Sequence, residues 1–297
     1  MSAVPADWPH VNCSQFVHSG GMRWHVQQLG DGDTVFVLHG TGASTHSMAP
    51  LAAELAQHYR VVLCDLPGHG FSSQPQMAAM RLPAMTRLLR ELLRTLNIKP
   101  DYLIGHSAGA ALCCQLVLDG ALRPRCVVAI NGALLPFGGV AGQLFGPLAQ
   151  MLAVNPTVPR MVSWRARRNH RMTRRLLHNT GSAISEKSVY LYNRLLAMPA
   201  HVAGALKMMA NWDLVSFARK LPGLNRPLYL LVASNDQTVL PDQSRTVCQR
   251  VASASFIDLG AYGHLVHEEV PEQLSQCIRQ LFCETVATRT VTDIELS

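Results

Sequence analysis

Ser107 stands at the centre of Gly105-His106-Ser107-Ala108-Gly109, a G-x-S-x-G pentapeptide suited to a nucleophilic serine at a sharp strand-to-helix turn. Such a turn strains the serine backbone, and the glycines on either side let the flanking chains pass. A serine hydroxyl alone is a weak nucleophile. It needs a base to take its proton, an acid to orient that base, and donors to hold the oxyanion. Asp236 and His264 follow in the order Ser, Asp, His that serves this chemistry. Asp236 closes Ser234-Asn235-Asp236 after the apolar run 228–233, and His264 follows Gly263 soon after Phe256-Ile257-Asp258-Leu259. The bland alternative is that Asp236 caps a loop and His264 caps the final helix. Asp213 is the second candidate acid. Oxyanion donors are expected from the backbone N–H groups of Thr41, in His39-Gly40-Thr41-Gly42, and of Ala108, directly after the serine.

These residues need a frame that delivers each to one rim. Short apolar strands are predicted near 35–38, 61–64, 101–104 and 126–130, alternating with helical stretches as in a parallel sheet with crossover helices. The clearest helix is 84–97, with Met85, Leu88, Leu89, Leu92, Leu93 and Leu96 on one face. Residues 14–30 read as an opening hairpin. A further helix follows Pro271, burying Leu274, Ile278, Leu281 and Phe282. Asp65-Leu66-Pro67-Gly68-His69-Gly70 reads as a structural turn, with no chemistry assigned to Asp65 or His69. Together these features predict an α/β-hydrolase fold: a mostly parallel eight-stranded sheet flanked by helices, with an inserted helical cap. The expected divisions are a core over 1–133, a basic cap over 134–210, the rest of the core over 211–285 and a loose tail over 286–297.

With 297 residues and 48% hydrophobic content, the chain can bury one large core. The opening segment is polar and broken by proline, so no signal peptide is expected. Eight scattered cysteines without a C-x-x-C pair suit reduced thiols and a cytoplasmic location. The uncharged stretch 126–159 is too often interrupted by Gly, Pro and Asn to span a membrane. Charge divides sharply. Segment 134–210 holds ten basic residues against one acid, Glu186, leaving 16 basic and 18 acidic residues elsewhere. Arg165, Arg167, Arg168 and Arg171 form the densest run and are the candidate binding residues of the cap. They read either as a solvated helix face or as a surface for an anionic ligand, a protein partner or a membrane periphery. Nucleic acid is not expected, because no nucleic-acid-binding motif accompanies the charge. Six methionines of the cap (Met151, Met161, Met172, Met198, Met208, Met209) suggest a wide apolar cavity rimmed by arginine.

Four stretches carry a closer likeness: His39-Gly40-Thr41-Gly42-Ala43-Ser44-Thr45-His46-Ser47, Asn131-Gly132-Ala133-Leu134-Leu135-Pro136-Phe137, the run from His201 to Leu214, and Gly263-His264-Leu265-Val266-His267-Glu268-Glu269. They resemble the magnesium-chelatase accessory protein family of bacteriochlorophyll biosynthesis, and the likeness extends to about residue 283. Met48 departs from the aromatic residue expected there. The resemblance implies a role beside Mg²⁺ insertion into protoporphyrin IX, with a small-molecule substrate or tetrapyrrole and the chelatase subunits as partners. No G-x-x-x-x-G-K-[ST] loop or D-x-S-x-S motif is present, which excludes a motor subunit. No cofactor is expected. A metal reading of His264-Leu265-Val266-His267-Glu268 is set aside, since it is not H-E-x-x-H; His267 and Glu268 are expected to cap the last helix.

Overall fold

The apolar runs assemble into one eight-stranded sheet in a computed structural model that describes residues 3–136, 155 and 157–295, with side chains to 287. The strands are β1 (Ser14–Ser19), β2 (Met22–Leu29), β3 (Thr34–Leu38), β4 (Arg60–Cys64), β5 (Tyr102–His106), β6 (Cys126–Ile130), β7 (Leu228–Ala233) and β8 (Ala254–Gly260). Their order is β1-β2-β4-β3-β5-β6-β7-β8. The opening hairpin pairs antiparallel, β2 pairs antiparallel with β4, and every later pairing is parallel.

A parallel sheet covered on both faces needs strands that are apolar on both sides. In β3, Val35 and Val37 join one core cluster, while Phe36 and Leu38 join the other. The first face is closed by α1 (Thr45–Leu55) and by α11 (Pro271–Glu295); α2 (Leu82–Thr95) and α3 (Ala108–Leu118) close the second. In α11, Leu274, Ile278, Leu281 and Phe282 are buried at helical spacing, and Phe282 stacks on Tyr102 at 3.8 Å between ring centroids. Each such side chain contributes about 1.5–3 kcal/mol on burial. Met48 lies in this core, packed from α1, so its departure from the family pattern falls in core packing.

Among the described residues, the stretch after β6 begins with α4 (Thr157–Arg168), α5 (Arg171–His178), α6 (Glu186–Leu196) and α7 (Pro199–Ala210). They are followed by α8 (Leu214–Lys220); α9 (Pro241–Arg250) joins β7 to β8, and the short α10 (Val266–Glu269) precedes α11. The entry of the cap, 137–154, lies outside the described residues, as does Met151.

Two boundaries differ from expectation. Helix α2 starts at Leu82, because Pro83 fits a first turn where its missing N–H costs nothing, and it stops at Thr95 ahead of Asn97 at φ 53°. The terminal segment, expected to be loose from 286, is helical through Glu295. Its Thr and Val lower helix propensity, but it contains no Gly or Pro to stop propagation from the packed turns before it.

Candidate active site

Ser107 adopts φ 52° and ψ −117° between β5 and α3, a strained conformation for a non-glycine residue. Its neighbours permit it. A Cβ on Gly105 would strike the Gly109 and Ala110 backbone, and one on Gly109 would strike the Leu38 carbonyl. Ser107 N–H donates to the Ile130 carbonyl and its own carbonyl accepts from Ala133 N–H, both at 3.0 Å, which pins the turn to the end of β6.

The H-G loop meets this turn at contact distance: a Cβ on Gly40 would lie 3.0 Å from the Cβ of Ser107. The N–H groups of Thr41 and Ala108 have no hydrogen-bond partner among the described residues. Two unspent amides beside a strained serine are what an oxyanion hole requires.

Asp236 and His264 come together as an orienting pair. His264 Nδ1–H donates to Asp236 Oδ2 at 2.7 Å, and both residues are buried. The other Asp236 oxygen accepts from Thr238 N–H at 2.7 Å and Val239 N–H at 2.9 Å. This arrangement holds the imidazole in the tautomer whose Nε2 can accept a proton. Ser107 Oγ itself is not hydrogen-bonded to His264 here; catalytic contacts of this kind often tighten only with substrate. The elbow instead holds the His264 backbone. His106 Nε2–H and Asn131 Nδ2–H each donate to the His264 carbonyl at 3.0 Å, and the His106 and His264 rings lie 4.6 Å apart. Burial, reinforced by His267 and His264, keeps the His106 imidazole far below its usual pKa and therefore neutral.

Asp213 is placed elsewhere. It caps α8 by accepting from Ser216 N–H at 3.0 Å, is exposed, and is lowered in pKa by those Ser216 hydrogen bonds.

Asp65 is a buried structural hub. Its carboxylate accepts from His25 Nδ1 at 2.8 Å, Phe71 N–H at 2.8 Å and Thr45 N–H at 2.7 Å. Burial alone would raise its pKa, but the His25 charge and hydrogen bond overcome that and hold it well below the carboxylate range. The Thr45 bond ties the start of α1, and with it the H-G loop, to the end of β4.

The cap enters the site through backbone that sequence reasoning did not single out. The Thr180 carbonyl accepts from His264 N–H at 3.1 Å and from Gln237 N–H at 3.2 Å. One cap carbonyl thus ties the base loop to the acid loop. Ser182 Oγ accepts from Leu265 N–H at 2.8 Å. Gly181, at φ +80°, allows the approach, since a Cβ there would strike the Asn235 carbonyl. Asn131 was also missed in this role: besides the His264 carbonyl it bonds the Gly263 carbonyl and Ala233 N–H. Its φ of 43° was foreshadowed only by an Asn-Gly pair at a strand end.

A second cap contact lies over the H-G loop. His201 Nδ1 accepts from Gly70 N–H at 3.0 Å and Nε2–H donates to the Gly42 carbonyl at 3.1 Å. Burial lowers its pKa to about 4, consistent with a neutral bridging ring. Met208 is fully buried, with its sulfur 3.5 Å from Thr41 Oγ1.

His267 and Glu268 do not cap the last helix, as expected from sequence. They are turned inward, where His267 Nε2 meets Ser47 Oγ at 2.8 Å and Ser47 donates to Glu268 at 2.7 Å. The Tyr192 hydroxyl, from the cap, lies within hydrogen-bond distance of both Glu268 (2.9 Å) and Ser47 (2.8 Å). Burial pushes the Glu268 carboxyl up to about 7.

Arg165, Arg167, Arg168 and Arg171 are exposed and make no hydrogen bond or ion pair with Ser107, Asp236 or His264. Met161, expected to line an apolar cavity, faces solvent.

Comparison with known proteins agrees with this architecture. Residues 33–271 match the family described as alpha/beta hydrolase fold. The magnesium-chelatase 30 kDa subunit of Rhodobacter capsulatus is 37% identical over 279 residues, spanning 93% of this chain and 96% of that protein. Among solved structures, the epoxide hydrolase CorEH is similar with a TM-score of 0.77 at 19% identity, over 91% of this chain and 98% of that one. A thermophilic esterase from Thermogutta terrifontis gives 0.69 at 21% identity, over 92% and 98%. At these identities the two solved structures bear on the fold alone.

Proposed function

The chain belongs to the α/β-hydrolase fold family, and on that premise we propose that it is a serine hydrolase acting on an ester or thioester of a bulky substrate. The observation that carries this reading is Ser107 at positive φ beside two unbonded amides, on the rim that also holds the Asp236–His264 pair. Ser107 Oγ attacks the substrate carbonyl while His264 Nε2 takes the hydroxyl proton and Asp236 steadies the resulting imidazolium. The oxyanion rests on the Thr41 and Ala108 amides. Collapse of the tetrahedral intermediate breaks the ester bond, and His264 returns the proton to the leaving alcohol or thiol. Water then attacks acyl-Ser107 with His264 again as base, releasing the acid and restoring the serine.

The likeness to the magnesium-chelatase 30 kDa subunit supports a physiological role accessory to magnesium chelatase in bacteriochlorophyll biosynthesis. That same likeness favours a second reading, a non-catalytic carrier that presents porphyrin to the chelatase, because placing a metal ion in the macrocycle breaks no ester or thioester bond.

A fluorophosphonate probe separates the chemistry. It is expected to label Ser107 in the wild-type chain and to lose most labelling in His264→Ala. A folded wild-type chain that resists the probe would sink the hydrolase reading. Complementation of a strain lacking this gene by Ser107→Ala then separates the roles: failure supports hydrolysis, and full rescue supports the carrier.

A further inference from the structure

Helix α4 presents an unusual solvent face. Pro159, Ser163 and Ala166 are its buried stripe, packed towards α6 and α7. At 100° per residue, the opposite pole falls on Met161, Trp164, Arg165 and Arg168. Met161 is 64% exposed and Trp164 52%, where a merely solvated helix would carry polar side chains. The Arg168 guanidinium lies 3.8 Å from the centroid of the Trp164 ring, so cation and aromatic face are presented together. After a break of two residues, α5 continues the pattern, with Arg171, Arg174 and Arg175 exposed beside Leu176, itself 52% exposed. The only acid between 134 and 210, Glu186, is already paired with Arg174 at 2.6 Å. Nothing acidic on the cap remains to balance its outer charge.

We propose that the outer pole of α4, continued by α5, is a docking surface for an anionic lipid bilayer. The composition suits that boundary on two counts. Arginines attract and pair with lipid phosphates, while Trp and Met give up exposed apolar area to the region between headgroups and acyl chains. An aromatic ring with an apolar body and a polar edge prefers that depth. No described helix is long and apolar enough to cross the membrane, so the contact is peripheral. Because the pole faces away from α6 and α7, whose Tyr192 and His201 bond Ser47 and the Gly42 carbonyl beneath the cap, docking leaves Ser107 on the protein side of the cap. The inference does not rest on hydrolysis.

The test is co-sedimentation of the full chain with vesicles of phosphatidylcholine, with and without about 30% phosphatidylglycerol. Binding is expected only to the anionic vesicles, weakening as salt rises. Brominated acyl chains are expected to quench part of the tryptophan emission, and Trp164→Ala to remove that quenching. Arg165→Gln with Arg168→Gln is expected to weaken binding roughly twenty-five-fold, about fivefold for each charge. Met161→Ser with Trp164→Ala is expected to weaken it at least several-fold, and Ser107→Ala to bind like wild type. Absence of binding to anionic vesicles, or absence of quenching in the wild-type chain, overturns the proposal whatever the variants do. Loss on removing arginine without loss on removing Met161 and Trp164 also overturns it, leaving a purely electrostatic face suited to an acidic protein.

Discussion

At the sheet rim, Ser107 is pinned by backbone bonds to the end of β6, Asp236 accepts from amides just past β7, and His264 is held by the Thr180 carbonyl and the His106 and Asn131 side chains. Asp236 and His264 are buried and Ser107 is half-buried. On α4, among the described residues, Trp164, Arg165 and Arg168 are fixed by nothing deeper than one guanidinium over one indole. The first region spends its hydrogen bonds on placing a few atoms; the second leaves its groups free to meet something outside. Thr180 and Gly181 belong to the cap by sequence and to the rim by bonding. The inner cap is therefore part of the catalytic frame rather than a detachable lid.

The largest effect that could break this contrast is at the acid. Asp236→Asn is expected to lower esterase turnover by about 10⁴-fold, through the wrong His264 tautomer, with little loss of stability. Asp213→Asn should leave turnover close to wild type. Equal effects in a steady-state assay would return the acid to Asp213.

Next comes the shared carbonyl. Gly181→Ala introduces a clash with Asn235 at a positive φ and should displace the acid loop from the base loop, costing about 10²-fold in turnover. Fluorophosphonate labelling rates compared with thermal melts would check it. Unchanged labelling would make the inner cap a mere cover.

A smaller effect is expected at Glu268. Its carboxyl, raised to about 7 by burial, holds its proton in the folded state at pH values where the unfolded chain has already lost it. The folded state therefore binds more protons between about pH 4.5 and 7, and stability falls as pH rises through that window. Glu268→Gln should abolish that slope and stabilise the chain at pH 8, by at most about 3 kcal/mol. Urea melts across pH would report it, and an unchanged slope would show that Glu268 is ionised in the fold.

The smallest effect belongs to the outer cap. Replacing Arg165, Arg167, Arg168 and Arg171 with Gln should shift stability by no more than about 0.5 kcal/mol per site. A large melting shift would mean that the run is part of the frame after all.

Much of the rim is legible in the sequence alone. A strained serine demands glycines at fixed offsets, an apolar strand demands an unbroken β-rich run, and α2 and α11 demand apolar residues at helical spacing; each leaves a local mark in the residue order. The Ser107–Asp236–His264 order could be read for the same reason. Spacing could not show that Thr180 binds both loops, because a backbone carbonyl has no residue type to betray it. Nor could it place His267 and Glu268, whose letters suit a helix cap as well as a buried network with Ser47 and Tyr192. The arginine run was visible as charge, but its direction was set by which stripe of α4 the neighbouring helices bury. Local conformation is written in adjacent residues. Which surfaces meet is decided only when segments far apart in the chain compete for the same core, and the tertiary structure alone records the outcome.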